Sequence, residues 1–322
     1  FCFFIFFLFF CVFCFFPLFF FLVFFSSLLK FVFSFAVVNS GGLAGVDDVL
    51  LGSLFFFLFV GFIVKFPVFG FHFWLPKVHV EAPVYGSMIL AGLLVKLGVF
   101  GIIRMFFFFN FLCVVETLVF GGFFVFLCFS VFVLNFLCIY QFDIKCYIAY
   151  SSVVHMTLVA LSVWSGRLVS VFGGILLRVA HGLCSSGLFF GMMLFYDVRG
   201  SRKIYLSRGF IRVNSCFVFF WYFLVVGNCS APFRLGFFSE FFLMFSRFFI
   251  SFLRLFVFWF KLFFCGFYSI VLYLYLCHGK VSMSLGFGVV SWGVGFYMIL
   301  FVHLFVLYFF FVLFDVLGVM CV

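Results

Sequence analysis

The 322 residues are 69% hydrophobic, 28% aromatic and only 8% charged, with a formal charge of +10 and 73 phenylalanines. Ordinary globular chains are roughly half apolar and about a quarter charged, so no soluble globule covers this much apolar surface. The Lys and Arg residues are scattered between apolar runs with no basic face, which excludes nucleic acid as a partner and assigns the charge to loops facing anionic lipid on the positive-inside side.

These runs predict an all-α membrane protein. Uncovered backbone polar groups are too costly in hydrocarbon for anything but helices or a closed barrel, and stretches such as 1–25 and 106–140 lack the alternation of barrel strands. At about twenty residues per crossing, spans fall at 1–25, 46–65, 84–104, 112–139, 147–164, 168–195, 211–249, 251–276 and 290–314, about nine helices in one bundle. The 211–249 stretch is too long for one straight helix, and 28–38 is expected to lie flat at the interface. The chain opens on Phe1 without a charged n-region or a small-residue cleavage site, so no signal peptide is expected. The 13 cysteines mostly sit inside apolar runs as small hydrophobes, and the CxxC of Cys11 and Cys14 is weak evidence for metal or redox work.

Two places interrupt the pattern. Gly, Pro, His and charged residues gather between Lys65 and Lys77, and again between Gly227 and Gly236 through Pro232. Broken helices are expected near 65–77 and 227–240, because a pair of Gly/Pro-interrupted segments is the best sequence pointer to an ion site in a transporter. For the first, an interfacial loop anchored by Trp74 stays open. The segment from Tyr196 to Arg208 reads as a solvated loop.

The ionisable residues inside the apolar segments carry the functional reading. Lys96 stands about thirteen residues beyond Pro83, roughly 20 Å into its helix, too deep to snorkel easily and therefore expected to face a hydrated interior. Gly86, Ala91, Gly92 and Gly98 allow close helix contact around it. A lysine reaching the headgroups is the alternative. Lys65 precedes Pro67, so its helix must end or kink there, and its proton is held between desolvation and any neighbouring carboxylate; a snorkel at a helix end is the alternative.

Glu240 is apolar on both sides, and a lone buried carboxylate takes up a proton readily, as a relay requires. Arg247 lies two turns further on the same face, so a structural Glu–Arg pair stays open. His181, one turn after Arg178, can pass protons in either direction near neutral pH. His155 has serines nearby for hydrogen bonding. His72 and His79 sit in the first interruption, where His79 with Glu81 reads as structural, and His303 reads as a packed helix histidine.

Nucleotide-binding, HExxH and four-cysteine motifs are absent, so no cofactor or metal is expected on this chain. A haem between His155, His181 and His303 has no positive support in their spacing.

The run from Gly70 through Trp74-Leu-Pro-Lys-Val-His-Val-Glu-Ala-Pro83 to Gly98 resembles the signature of the antiporter-like subunit 4 family of respiratory NADH:ubiquinone oxidoreductase, complex I. The blocks Asp143–Met156, Ala180–Ser186 and Asn228–Glu240 agree with it in order and spacing. The resemblance is strong over 45–245 and weak in the flanks. It implies a bundle with two broken helices and a hydrated polar axis, within one transmembrane domain over 1–322 whose C-terminal helices occupy 250–316.

The resemblance further implies proton translocation, with Lys65 as the lysine of the first broken helix and Lys96 as the central lysine. His181 matches the connecting histidine, Glu240 the glutamate of the second broken helix, and His72 and His155 histidines of the same axis. Implied partners are antiporter-like subunits 2 and 5 and lipids such as cardiolipin, with NADH, FMN, iron–sulfur clusters and ubiquinone held by other subunits. The implied location is the mitochondrial inner membrane, and the phenylalanine excess fits the T-rich codons of an organellar genome. The chain is expected to begin at the family's sixth helix, so that the glutamate that pairs with Lys65 is not on it; Asp47 and Asp48 are the only acids upstream. Arg178 replaces an apolar residue. A stand-alone cation/proton antiporter and a degenerate structural subunit are the rival readings.

Overall fold

The computed structural model describes residues 61–108, 118–165, 167–229, 231–232, 234–248, 252–279 and 292–318. The spans expected at 1–25 and over most of 46–65, the interfacial segment 28–38, the CxxC pair, Asp47 and Asp48 lie outside them. Helical residues 61–65 lead into α1 (Trp74–Glu81), α2 (Val84–Ile89), α3 (Val95–Phe108), α4 (Leu118–Ile139), α5 (Ile144–Trp164), α6 (Leu168–Arg199), α7 (Ser215–Asn228), α8 (Leu235–Phe248), α9 (Phe252–Cys277) and α10 (Val294–Gly318). A π-helical turn, Leu90–Leu94, joins α2 to α3. Five helical stretches are long and apolar enough to cross a membrane. A single backbone bridge, between Asp143 and Lys203, is the sole β pairing among the described residues.

The all-α bundle therefore stands, and the long 211–249 run divides as expected, with α7 ending at Asn228 and α8 starting at Leu235. The first interruption is narrower than 65–77. The helix stops at Lys65, ahead of Pro67, and residues 74–77 already belong to α1. Trp74 does not act as a headgroup anchor, because its indole N–H donates to the Val64 carbonyl at 3.1 Å and caps the end of the interrupted helix.

Helix α6 is the hub, packed against α2, α5, α7, α8 and α10. Glycines bring the backbones together. A Cβ on Gly173 would stand 3.0 Å from the Ser239 carbonyl oxygen and from Phe242 Cβ, so α6 and α8 touch through main chain there. Gly173→Leu is expected to push α8 away and to cost about 1–3 kcal/mol as overpacking; a lowered unfolding temperature in detergent would show it, and an unchanged one would argue against the close approach.

Helix α5 is almost wholly buried. Four of its buried serine and threonine hydroxyls are satisfied within the helix, because Ser151, Ser152, Thr157 and Ser162 each donate to the carbonyl three residues back at 2.6–2.8 Å. Ser151 and Ser152 thus bond their own helix and not His155, contrary to the expectation for that histidine.

The helix ends near 80, 141, 200 and 278 meet at one pole. Lys145 Nζ donates to Ala82 O at 3.0 Å, and Arg202 to Val80 O at 2.8 Å, both closing the carbonyl end of α1. Arg199 donates to Arg208 O at 3.0 Å, and α6 terminates on Gly200 at φ +64°. The basic segment 196–208 is therefore only partly a solvated loop: Arg199 and Arg202 fasten carbonyls and Arg199 is buried, while Lys203 and Arg208 are exposed.

Candidate functional site

Two apolar clusters fill the bundle, one around Val153, Leu158 and Val257, the other around Ile148, Phe189, Trp221 and Cys265. On α8 and α9 the buried charged residues between their members are Glu240 and Lys261. The polar site occupies this seam.

At one end stands Lys96. The π turn preceding it contains Ala91, and the Lys96 ammonium donates to Ala91 O. Its Nζ also lies 3.5 Å from Nδ1 of His181 on α6. The ammonium therefore turns into the bundle and not toward the headgroups. Gly182 makes this possible, since its missing side chain leaves room for the lysine stem, 3.3 Å from where a Cβ would sit.

The His181 and His155 rings follow, 5.1 Å apart between centroids and inclined by 34°. Such direct contact leaves no room for a macrocycle between them. His155 Nδ1 faces Glu240 Oε1 at 4.0 Å. The carbonyl of Asn228, the last residue of α7, accepts from the Cys265 thiol at 3.4 Å, and that thiol stands 3.9 Å from His155 Nε2, so the edge of the second interruption reaches the site. The same Glu240 oxygen accepts from the Lys261 ammonium of α9 in an ion pair whose side chains are 0% and 3% exposed.

The result is a file of five titratable side chains from five helices or helix segments: Lys96, His181, His155, Glu240 and Lys261. Neighbours lie within electrostatic reach, and Glu240 is the one buried carboxylate among the described residues. His181 Nε2 and His155 Nδ1 meet no hydrogen-bond partner among the described residues, the type of buried polar atom that bound water satisfies. A side branch leads off His155: Cys265 Sγ is 3.9 Å from His155 Nε2 and accepts from the Tyr268 hydroxyl at 3.1 Å. Tyr268 in turn lines a pocket with Tyr147, Gln141 and Arg208 at the looped pole.

Other residues singled out in the sequence lie elsewhere. His72 is fully buried beside Phe69, Phe73 and Tyr150, at ring distances of 4.3–6.0 Å, outside the contacts that join the file. Lys65 ends its helix, and its backbone packs on Gly98 of α3. His79 stacks on Phe189 at 4.6 Å, and His303 bonds back to Ile299 O at 2.8 Å, both structural placements as expected. Arg178 lies 6.0 Å from the Phe100 ring. The Arg247 side chain lies outside the described residues, and the cation found on Glu240 is Lys261. Among the described residues no three His, Cys, Asp or Glu side chains gather as metal ligands do.

Ionisable side chains are costly in a membrane and gather inside a bundle where ions move. A multi-pass helical bundle with two interrupted helices and such a buried file has the construction of an ion transporter. The chain belongs to the NADH:quinone oxidoreductase/Mrp antiporter transmembrane family, whose model matches residues 3–265. It is 39% identical over 236 residues to NADH-ubiquinone oxidoreductase chain 4 of Mytilus edulis, covering 72% of this chain and 53% of that one. Against the Locusta migratoria chain 4 it is 35% identical over 268 residues, or 79% and 57%. The chain thus spans about half the length of these relatives.

Among solved structures, respiratory complex I from Thermus thermophilus superposes with a TM-score of 0.75 at 20% identity, over 83% of this chain and 56% of that one. The Mrp complex from Dietzia gives 0.67 at 14% identity, over 73% and 44%. At these identities the two structures establish a shared fold.

Proposed function

We propose that this chain is a proton-translocating subunit in the membrane arm of a respiratory NADH:ubiquinone oxidoreductase, handing protons along Lys96, His181, His155 and Glu240. The observation that carries the reading is the continuous buried contact from the Lys96 ammonium through two imidazoles to the Glu240 carboxylate. Each transfer is electrostatic: loading one site changes the cost of holding a proton at the next, one pKa unit corresponding to about 1.4 kcal/mol. Lys65 and His72 extend the relay on the side of the first interruption, a role that rests on the family resemblance.

Redox chemistry with NADH, FMN, iron–sulfur clusters and ubiquinone belongs to other subunits, and this chain carries no cofactor of its own. Its neighbours are the antiporter-like subunits 2 and 5, with cardiolipin among the surrounding lipids. Animal relatives named NADH-ubiquinone oxidoreductase chain 4 support a place in the mitochondrial inner membrane, and the 73 phenylalanines support an organellar gene. The likeness to the Mrp complex favours one second reading, a cation/proton antiporter working without redox partners.

The test is Lys96→Met in the assembled oxidoreductase in proteoliposomes. NADH-driven proton uptake is expected to fall at least tenfold with the complex intact on native gels. Unaltered proton stoichiometry would rule the relay out and leave a spacer of the arm, whereas sodium-driven proton exchange without NADH would establish the antiporter.

A further inference from the structure

We propose that Lys261 is the proton-releasing partner of Glu240, so that the relay ends in a carboxylate–ammonium couple that takes one proton in and lets another out. The inference rests on the relay reading above and adds to it the residue from which the proton leaves.

The geometry is specific. Glu240 Oε1 is approached from two sides, by His155 Nδ1 at 4.0 Å and by the Lys261 ammonium in direct contact. Lys261 is fully buried in an apolar stretch of α9, between Val257 and Phe258 on one side and Cys265 on the other. Among the described residues no second buried carboxylate exists to balance it. Two charges so placed persist only as a pair, because an unpaired ion in a dry interior is far costlier than a paired one. A proton that reaches Glu240 therefore removes the counter-ion of Lys261. The ammonium then has to give up its own proton, which a buried lysine can do and an arginine cannot.

The steps balance. The Nδ1–H bond of the His155 imidazolium breaks, and an O–H bond forms on Glu240 Oε1. An N–H bond of Lys261 breaks next, its electron pair stays on Nζ, and the proton passes to water. The Glu240 O–H proton then moves onto the free amine, which restores the carboxylate and the ammonium. One proton has entered from His155 and one has left from Lys261, with no net change in the couple. The file then carries an ammonium at each end, Lys96 and Lys261, with two imidazoles and one carboxylate between them.

The rival is a static clamp between α8 and α9. Lys261→Arg separates the two, since arginine preserves the charge and the contact but holds its proton. In assembled complex, NADH-driven translocation by Lys261→Arg is expected to fall at least tenfold; wild-type translocation would overturn the exchange in favour of the clamp. Lys96→Met is measured alongside. Loss in Lys96→Met with normal Lys261→Arg removes only the exchange, and normal translocation in both removes the relay itself.

A second measurement needs no variant to assemble. Infrared difference spectra of the wild-type complex at rest and during NADH turnover should show a carboxylic C=O band as Glu240 is protonated, and an unchanged carboxyl region overturns the proposal. Where Lys261→Arg does assemble, it should lack that band, because a permanent cation keeps the carboxylate ionised; its persistence there would equally count against the exchange.

Discussion

Glu240→Ala is expected to destabilise the bundle by about 3–5 kcal/mol, the usual result of breaking a buried ion pair from one side. The penalty comes from Lys261, which remains buried with no carboxylate on its ammonium. It has a ceiling, because a lysine escapes the charge by shedding its proton, and for an ordinary lysine at pH 7 that costs about 5 kcal/mol. The pH dependence follows: in this variant the folded state holds fewer protons than the unfolded one, so its stability rises with pH, and two pH units recover about 2.7 kcal/mol. Glu240→Ala combined with Lys261→Met is expected to return most of the loss, since an apolar replacement of a buried pair is close to neutral. Denaturation in detergent at two pH values measures all of this. A double variant no more stable than Glu240→Ala would show that the pair is not the source of the loss.

Much of the site was legible one residue at a time. Lys96, His155, His181 and Glu240 stand in apolar stretches where a titratable group needs a reason, and the interruption near Pro232 marks where α7 ends beside His155. What the sequence did not carry was the pairing. Glu240 and Lys261 are 21 positions apart on different helices, and no periodicity rule links them. Lys261 itself was findable by the depth argument that found Lys96, but it lies in a phenylalanine-rich run with neither Gly nor Pro to draw attention. The π turn that contains Ala91 has no residue signature either; Ala91 and Gly92 read only as small packing residues. In the 196–208 segment, composition suggested water for guanidinium groups of which Arg202 closes a helix end and Arg199 bonds a loop carbonyl.

Gly182→Ile is expected to abolish translocation nearly as completely as loss of Lys96 itself, although neither ionisable partner is touched. The lysine stem crosses α6 at this glycine: a Cβ there would lie 3.3 Å from Lys96 Cε, 3.6 Å from its Nζ and 3.5 Å from Gly92 O. Alanine makes a contact tighter than usual, but a flexible lysine gives way by a few tenths of an ångström, so Gly182→Ala should stay within about threefold of wild type. Isoleucine adds two branches at Cβ that are stiff in a helix, and these cannot be accommodated by so small a shift. The ammonium must then leave the space between Ala91 O and His181 Nδ1, which lies 3.5 Å away in the native site. Displacement of a reacting group by about 1 Å is enough to cost on the order of a hundredfold in rate. Isoleucine is apolar and compatible with a membrane helix, so assembly should survive, and native gels beside NADH-driven proton uptake separate the two effects. Normal uptake by assembled Gly182→Ile would mean that protons do not pass between Lys96 and His181.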